Sequence, residues 1–350
     1  MSLCHRCVKI NFYKILNEEF YVQRLPDRES LSFIKGAPDA KTCQLCAFFL
    51  QAASYYYHSS EPVPTGVDFA LRRKHFSLDI DNFRVIDCVS GAGHIVPYPG
   101  GANDVYTALS YVWGAGSSSP AQGNALPSPV PQVIADAITV VRAMGFWYLW
   151  VDRYCLPQDK QELAPQLQKM GHIYASAVFT IIAAAGDGPE YGLAGVTTAR
   201  STHPSIRIDR CLLAPVFHPG WDIDASKWAT RGWTFQVGLL SRRRLVFTQH
   251  QVFFQCAEAR CLETVSTPIN QTPLDYNMLS PYTRSSVHLM GNYISNYMQR
   301  DLTHQNDAHD AFRGILQHGK DMKPPVCSFY GIPPSSPNRD STGSRRHSHR

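Results

Sequence analysis

Between residues 104 and 263 the apolar positions alternate between short continuous runs and stretches of helical period. Thr107 to Trp113 is an aromatic and aliphatic run closed by Gly114, the pattern of a strand buried on both faces. From Pro131 to Met144, the residues Val133, Ile134, Ala137, Ile138, Val141 and Met144 recur at helical spacing. Phe146 to Val151 predicts a second strand ending at Asp152. Asp159 then predicts a helix N-cap, with Glu162 three residues on completing a capping box. Pro165 is tolerated there because it falls in the first turn, where an N–H is not needed. Leu163, Leu167, Met170, Ile173, Tyr174 and Ala177 line one face of that helix, and Val178 to Ala184 predicts a third strand. Strand, helix, strand, helix, strand with short connections implies right-handed crossovers and a parallel sheet.

The flanks read differently. Leu71 to Val89 alternates loosely, as short strands do, and glycine- and proline-rich turns follow at Ser90 to Gly93 and Pro97 to Gly101. Val196 to Lys227, which contains Trp221, shows no clear period. Thr230 to Leu240 predicts a helix, with Arg242, Arg243 and Arg244 as its cationic last turn. Arg244 to Thr248 and Val252 to Cys256 predict a hairpin. Two amphipathic helices follow, one carrying Val287, Met290, Tyr293, Ile294, Tyr297 and Met298, the other Ala308, Ala311, Phe312, Ile315 and Leu316. The expected organisation is an α/β protein with a central, mostly parallel sheet flanked by helices. It divides into a cysteine-containing N-terminal region (1–103), the α/β domain (104–263), a helical extension (264–322) and a disordered basic tail (323–350).

Composition narrows the function classes. Apolar residues make up 44% and charged residues 17% of 350, which describes a globular protein. The net charge of +5 is concentrated at the end: five basic residues and one acid after Met322 carry +4 of it. A nearly neutral body argues against a nucleic-acid groove. No apolar run reaches the roughly 20 residues of a membrane span, and Met-Ser-Leu-Cys-His-Arg-Cys is no secretory signal. The expected location is therefore the reducing cytoplasm, with the 10 cysteines free or metal-bound.

Several residues can carry chemistry. Cys4 and Cys7 with Cys43 and Cys46 form two Cys-x-x-Cys pairs that can hold a structural zinc, or are buried helix thiols and a frayed terminus. Asp152 and Cys155 follow the second strand, and Ser110 and Trp113 end the first, so all four fall at the carboxyl edge of a parallel sheet, where ligands bind. Asp152 can take a ribose hydroxyl or simply hold the next loop through backbone N–H groups. Cys155 with His172 as base is a thiol-nucleophile alternative, against the common reading of cysteine as a small buried hydrophobe. The Gly114 to Ser119 loop can offer N–H groups to a phosphate, but no Lys-Ser or Lys-Thr pair makes it a P-loop. Arg231, Trp233 and Gln236 can bind an anionic, planar ligand or lock their helix against the sheet.

Three blocks, taken in order, carry a resemblance: Tyr106-Thr-Ala-Leu-Ser-Tyr-Val-Trp-Gly114, Leu149 to Gln158 running on to Met170 through Ala177, and Arg231-Gly-Trp-Thr-Phe-Gln236. Their spacing resembles the heterokaryon-incompatibility (HET) domain of filamentous fungi. Asp152, Cys155 and Gln158 match its second block, and Met170, Ile173, Tyr174 and Ala177 its helix. Downstream, Tyr297, Arg300, Leu302 and Thr303, then Ala311, Phe312, Gly314 and Ile315, match segments that often follow the domain. Val237 departs from the acid usual after the glutamine, and Leu156-Pro157 from the usual Ile-Asn. If that acid carries the chemistry, this copy would be weakened or act as a scaffold. No large C-terminal sensor region follows, as expected of a short family member or a truncated gene model. The resemblance implies a module of nonself recognition and programmed cell death, with protein partners and self-association. It also implies a distant likeness to Toll/interleukin-1-receptor-like domains, some of which cleave NAD. NAD hydrolysis with Asp152, Ser110 and Arg231, and a zinc-stapled nucleic-acid binder, remain the alternatives, and the residues do not decide whether there is a reaction.

Overall fold

The computed structural model describes residues 21–25, 80–89, 93–101, 104–114, 123–201, 206–208, 211–216, 218–256, 260–262, 286–322 and 324–327. Both Cys-x-x-Cys pairs, the loop after Gly114 and the tail beyond Cys327 lie outside these residues.

The strands, in chain order, are β1 (Tyr21–Leu25), β2 (Arg84–Asp87), β3 (His94–Pro97), β4 (Tyr106–Ser110), β5 (Tyr148–Val151), β6 (Thr180–Ala183), β7 (Ile206–Ile208), β8 (Cys211–Val216), β9 (Arg243–Phe247), β10 (Val252–Cys256) and β11 (Arg260–Leu262). Eight form one sheet in the order β11-β10-β9-β6-β4-β5-β2-β3, and β1, β8 and β7 form a second. The four central strands β5, β4, β6 and β9 run parallel, while antiparallel strands close both edges. The α/β expectation holds, and the parallel part is the middle of the sheet. Its two middle strands, β4 and β6, are buried along their whole length, which is why they read as continuous apolar runs.

The helices are α1 (Gln132–Ala143), α2 (Asp152–Cys155), α3 (Lys160–Gln168), α4 (Met170–Ser176), α5 (Pro219–Asp224), α6 (Lys227–Thr230), α7 (Gly232–Leu240), α8 (Ser286–Met298) and α9 (Ala308–Asp321). Asp159 caps α3 by accepting from the N–H groups of Gln161 and Glu162. Glu162 does not return the bond to the cap; it accepts from Asn82, tying α3 to the start of β2. The single helix expected from Asp159 to Ala177 breaks at Lys169 into α3 and α4, and Pro165, expected in the first turn, lies inside α3. Gln166 is buried in α3 and donates to the Asp81 carbonyl, a polar anchor invisible to an apolar count.

Two further expectations are corrected. The three arginines are not the last turn of a helix: α7 stops at Leu240, and Arg243 and Arg244 begin β9. Arg244 is fully buried there and donates to the Gly238 carbonyl. Met298 is 78% exposed, off the apolar face assigned to it.

Candidate functional site

Register places the site. Leu109 of β4 pairs with Val151 of β5, so the two strands end level and the residues that follow emerge at one edge. Tyr111 to Trp113 leave the sheet there, and the chain after Val151 turns at once into α2. Trp113 Nε1 donates to Asp152 Oδ1 at 3.3 Å, and the Arg153 N–H donates to the same oxygen at 2.7 Å. Arg231 sits extended between α6 and α7, and its Nη1 donates to the Tyr111 carbonyl at 2.9 Å. The guanidinium carbons of Arg153 and Arg231 lie 5.2 and 5.8 Å from the centre of the Trp113 ring, within cation–π range.

Ser110 is one step further in. Its Oγ accepts from Trp228 Nε1 at 2.8 Å, and the Tyr174 hydroxyl of α4 donates to the carbonyl of the preceding Leu109 at 3.5 Å. Trp228 is fully buried on α6, and Thr234 of α7 donates to the Trp228 carbonyl. A serine of the first block thus holds the segment that leads into the third.

The structure brings Ser110, Trp113, Asp152 and Arg231 to one edge. Trp233 and Gln236 face elsewhere: the Trp233 indole donates to Asp307 at 3.4 Å, and Gln236 accepts from the Gly314 N–H at 3.0 Å. Cys155 is fully buried, and burial pushes its thiol up to about 12 while Sγ accepts from the Val151 N–H. His172 is exposed on α4. A buried, protonated thiol and an exposed imidazole are not an activated pair. Among the described residues no group of three or more metal-ligating side chains occurs, and no helix is long and apolar enough to cross a membrane.

Trp228, Tyr111 and Arg153 also build this edge. Tyr111 and Arg153 lie within the first and second blocks, next to Ser110 and Asp152. Trp228 carries a weaker signal, a tryptophan three residues before Arg231 in a stretch without period.

Residues 106–236 match the family model described as heterokaryon incompatibility protein (HET). The chain carries a HET domain. No curated protein and no solved structure matches. The match opens at the first residue of β4 and closes at Gln236, so the HET domain's three blocks are the parts that build this edge and the clamp behind it. Val237, where the resembling family usually has an acid, is buried in the main core around the sheet. An acid at this position would be buried too, not presented at the edge.

Burial raises Asp152 to about 6, against the opposing pull of the Arg153 N–H, the Arg231 charge and the Trp113 indole. A carboxyl raised on folding keeps its proton in the folded state after the unfolded chain has released it. Stability is therefore full below about pH 4, falls as pH rises to about 6, and stays lower above. Asp152→Asn keeps an acceptor for both N–H groups and removes the buried charge. It is expected to stabilise the HET domain by about 1–3 kcal/mol at pH 7.5, the lower end because the side chain keeps some solvent contact. Urea unfolding at pH 4 and 7.5 checks this: the gain should vanish at pH 4, and an equal effect at both would refute it.

Proposed function

We propose that this chain is a heterokaryon-incompatibility module of fungal nonself recognition and programmed cell death, acting in the cytoplasm through protein assembly. The HET match over residues 106–236 carries the reading. Two exposed apolar side chains support assembly: Trp147 is 61% and Val89 53% exposed. They lie close together, because the Cys88 N–H donates to the Trp147 carbonyl. Light scattering over a concentration series tests assembly. The mass is expected to rise above the 39.2 kDa of one chain, and Trp147→Asp is expected to suppress the rise. A mass fixed at one chain to roughly millimolar concentration would overturn the reading.

A second reading, hydrolysis of NAD or a related nucleotide, is favoured by one observation. Asp152, with a raised pKa, stands beside Arg231 and Trp113 at the carboxyl edge of the parallel strands. Incubation with NAD tests it: no nicotinamide release above a heat-denatured control would remove it.

A further inference from the structure

Arg231 is held in place by two distant parts of the chain. Its side chain belongs to the edge: Nη1 donates to the Tyr111 carbonyl at 2.9 Å, and its guanidinium carbon lies 5.8 Å from the centre of the Trp113 ring, whose indole donates to Asp152. Its backbone is held by the turn between α8 and α9. Arg231 stands at the N-cap of α7, where the first N–H groups lack helical partners and a short polar side chain ordinarily serves one of them. With the arginine turned to the edge, no side chain caps α7, and the Gly232 N–H donates to the Asp301 carbonyl at 2.8 Å. The Asp301 N–H donates in return to the Thr230 carbonyl at 2.6 Å, which makes a parallel bridge around Arg231. Arg300 Nη1 donates to the Arg231 carbonyl at 3.4 Å, its guanidinium carbon lies 4.5 Å from the centre of the Phe235 ring, and Leu302 packs directly over Gly232.

The extension also has a core of its own. Met290 and Tyr293 of α8 and Phe312, Ile315 and Leu316 of α9 pack with Phe235 and Leu239 of α7. Among the described residues, none of these belongs to the core around the sheet. The extension can therefore leave α7 without opening the sheet's core. Its departure would bare Phe235 and Leu239 and take away the acceptor of the Gly232 N–H.

We propose that the C-terminal extension is a latch on the candidate site: docked on α7, its Arg300 and Asp301 hold Arg231 against Trp113 and Asp152, and undocking lets Arg231 move away. Both are positioning residues, because they act through Arg231. A partner that takes the apolar face of α7 from α8 and α9 alters the edge without touching it. By the same linkage, a ligand that engages Arg231 in its docked position tightens the extension on α7. The latch needs neither self-association nor hydrolysis, so it stands or falls apart from both functional readings.

The position of Arg231 can be read from Asp152. The Arg231 charge favours the ionised carboxylate, which burial alone would raise beyond its value of about 6, so moving that charge away raises the midpoint of titration. The other groups that interact with Asp152 are Arg153, whose charge acts in the same direction as that of Arg231, and Tyr111, Tyr174 and Cys155, which burial pushes toward their neutral forms.

The test follows the carboxyl carbon resonance of Asp152 through a pH titration of the full chain, labelled at aspartate and assigned by the signal missing from Asp152→Asn. Arg231→Gln, which removes the charge, should raise the midpoint by about one pH unit. Arg300→Met should raise it by roughly half as much, and Leu302→Ala, which changes no charge, should move it the same way. In the Arg231→Gln background neither should raise it further, because no charge is left to position. A purely structural role for Arg300 and Leu302 would lower stability and leave the midpoint where it is. A parent-like midpoint in either variant that folds, or a rise that persists without the Arg231 charge, overturns the latch. So does an Arg231→Gln midpoint equal to the parent's.

Discussion

Gly314→Val is expected to destabilise the protein by about 2–4 kcal/mol and to release the C-terminal helices from the rest of the fold. Gly314 of α9 faces Gly171 of α4, and Gln236 of α7 reaches between them to accept the Gly314 N–H at 3.0 Å. A Cβ at Gly314 would run into the Gln236 Oε1 atom and lie 2.8 Å from Leu240 Cδ1 and 3.1 Å from the Gly171 Cα. Leu240 can swing aside, but the Gly171 backbone cannot move without shifting α4. Overpacking of this kind costs about 1–3 kcal/mol, and loss of the half-buried bond adds about 1. Thermal unfolding should fall by roughly 10 °C, and limited proteolysis should cut first between residues 286 and 327. Gly291→Ala is the control: nothing lies near a Cβ there, so helix propensity should make it neutral or stabilising by up to about 1 kcal/mol. Equal effects of the two substitutions would show that the close helix approach is not what holds α9.

The same contacts explain the matching motifs downstream of the HET domain. The Gly232 N–H donates to the Asp301 carbonyl, and the Asp301 N–H donates to that of Thr230, so residues 300–302 bracket Arg231. Arg300 lies 4.5 Å from the centre of the Phe235 ring and donates to the Arg231 carbonyl. A Cβ at Gly232 would meet the Leu302 side chain, which packs directly over that glycine. The extension therefore fixes the backbone of a residue at the candidate site. This explains, in packing terms, why Tyr297, Arg300, Leu302 and Gly314 accompany the third block.

How far the sequence predicts all this depends on whether a feature is local. The β4, β5 and β6 runs and helices α1 and α9 were legible because burial imposes a period on each. Their limits were less so: the apolar run extends to Trp113 but the strand stops at Ser110, since the last three residues turn off the sheet to build the edge. Joining Ser110, Trp113, Asp152 and Arg231 was legible for the first three, which need only the rule that parallel strands end together. The conformation of Arg231 depends on Asp301, 70 positions later, and no local pattern encodes that. Nor does composition mark Asp136, a buried carboxylate on α1. It accepts from the Leu193 N–H at 2.7 Å and from the Thr197 hydroxyl, and so holds the loop after β6. β3, at the far edge of the sheet, fell within what read as turns, because its four residues are flanked by glycine and proline.

Trp228→Ala is expected to cost about 3–5 kcal/mol, the range for emptying a fully buried aromatic site. The informative comparison is with gentler changes to the same contact. Trp228→Phe keeps most of the ring but loses the N–H that Ser110 accepts, and should cost about 1–3 kcal/mol. Ser110→Ala leaves the indole N–H buried without that acceptor, and should cost about as much. Because both remove one bond, the double variant should cost less than the sum of the singles by about 1 kcal/mol or more. Chemical denaturation of the four proteins measures that difference. Additive costs would mean that the Ser110–Trp228 bond is not what joins the first block to the third. Coupling would mean that the Ser110 oxygen is engaged in holding the edge together. In that case the reactive role weighed for Ser110 would have to be reached by breaking the contact that positions Arg231's own segment, which makes Asp152 the better acid–base group of the two.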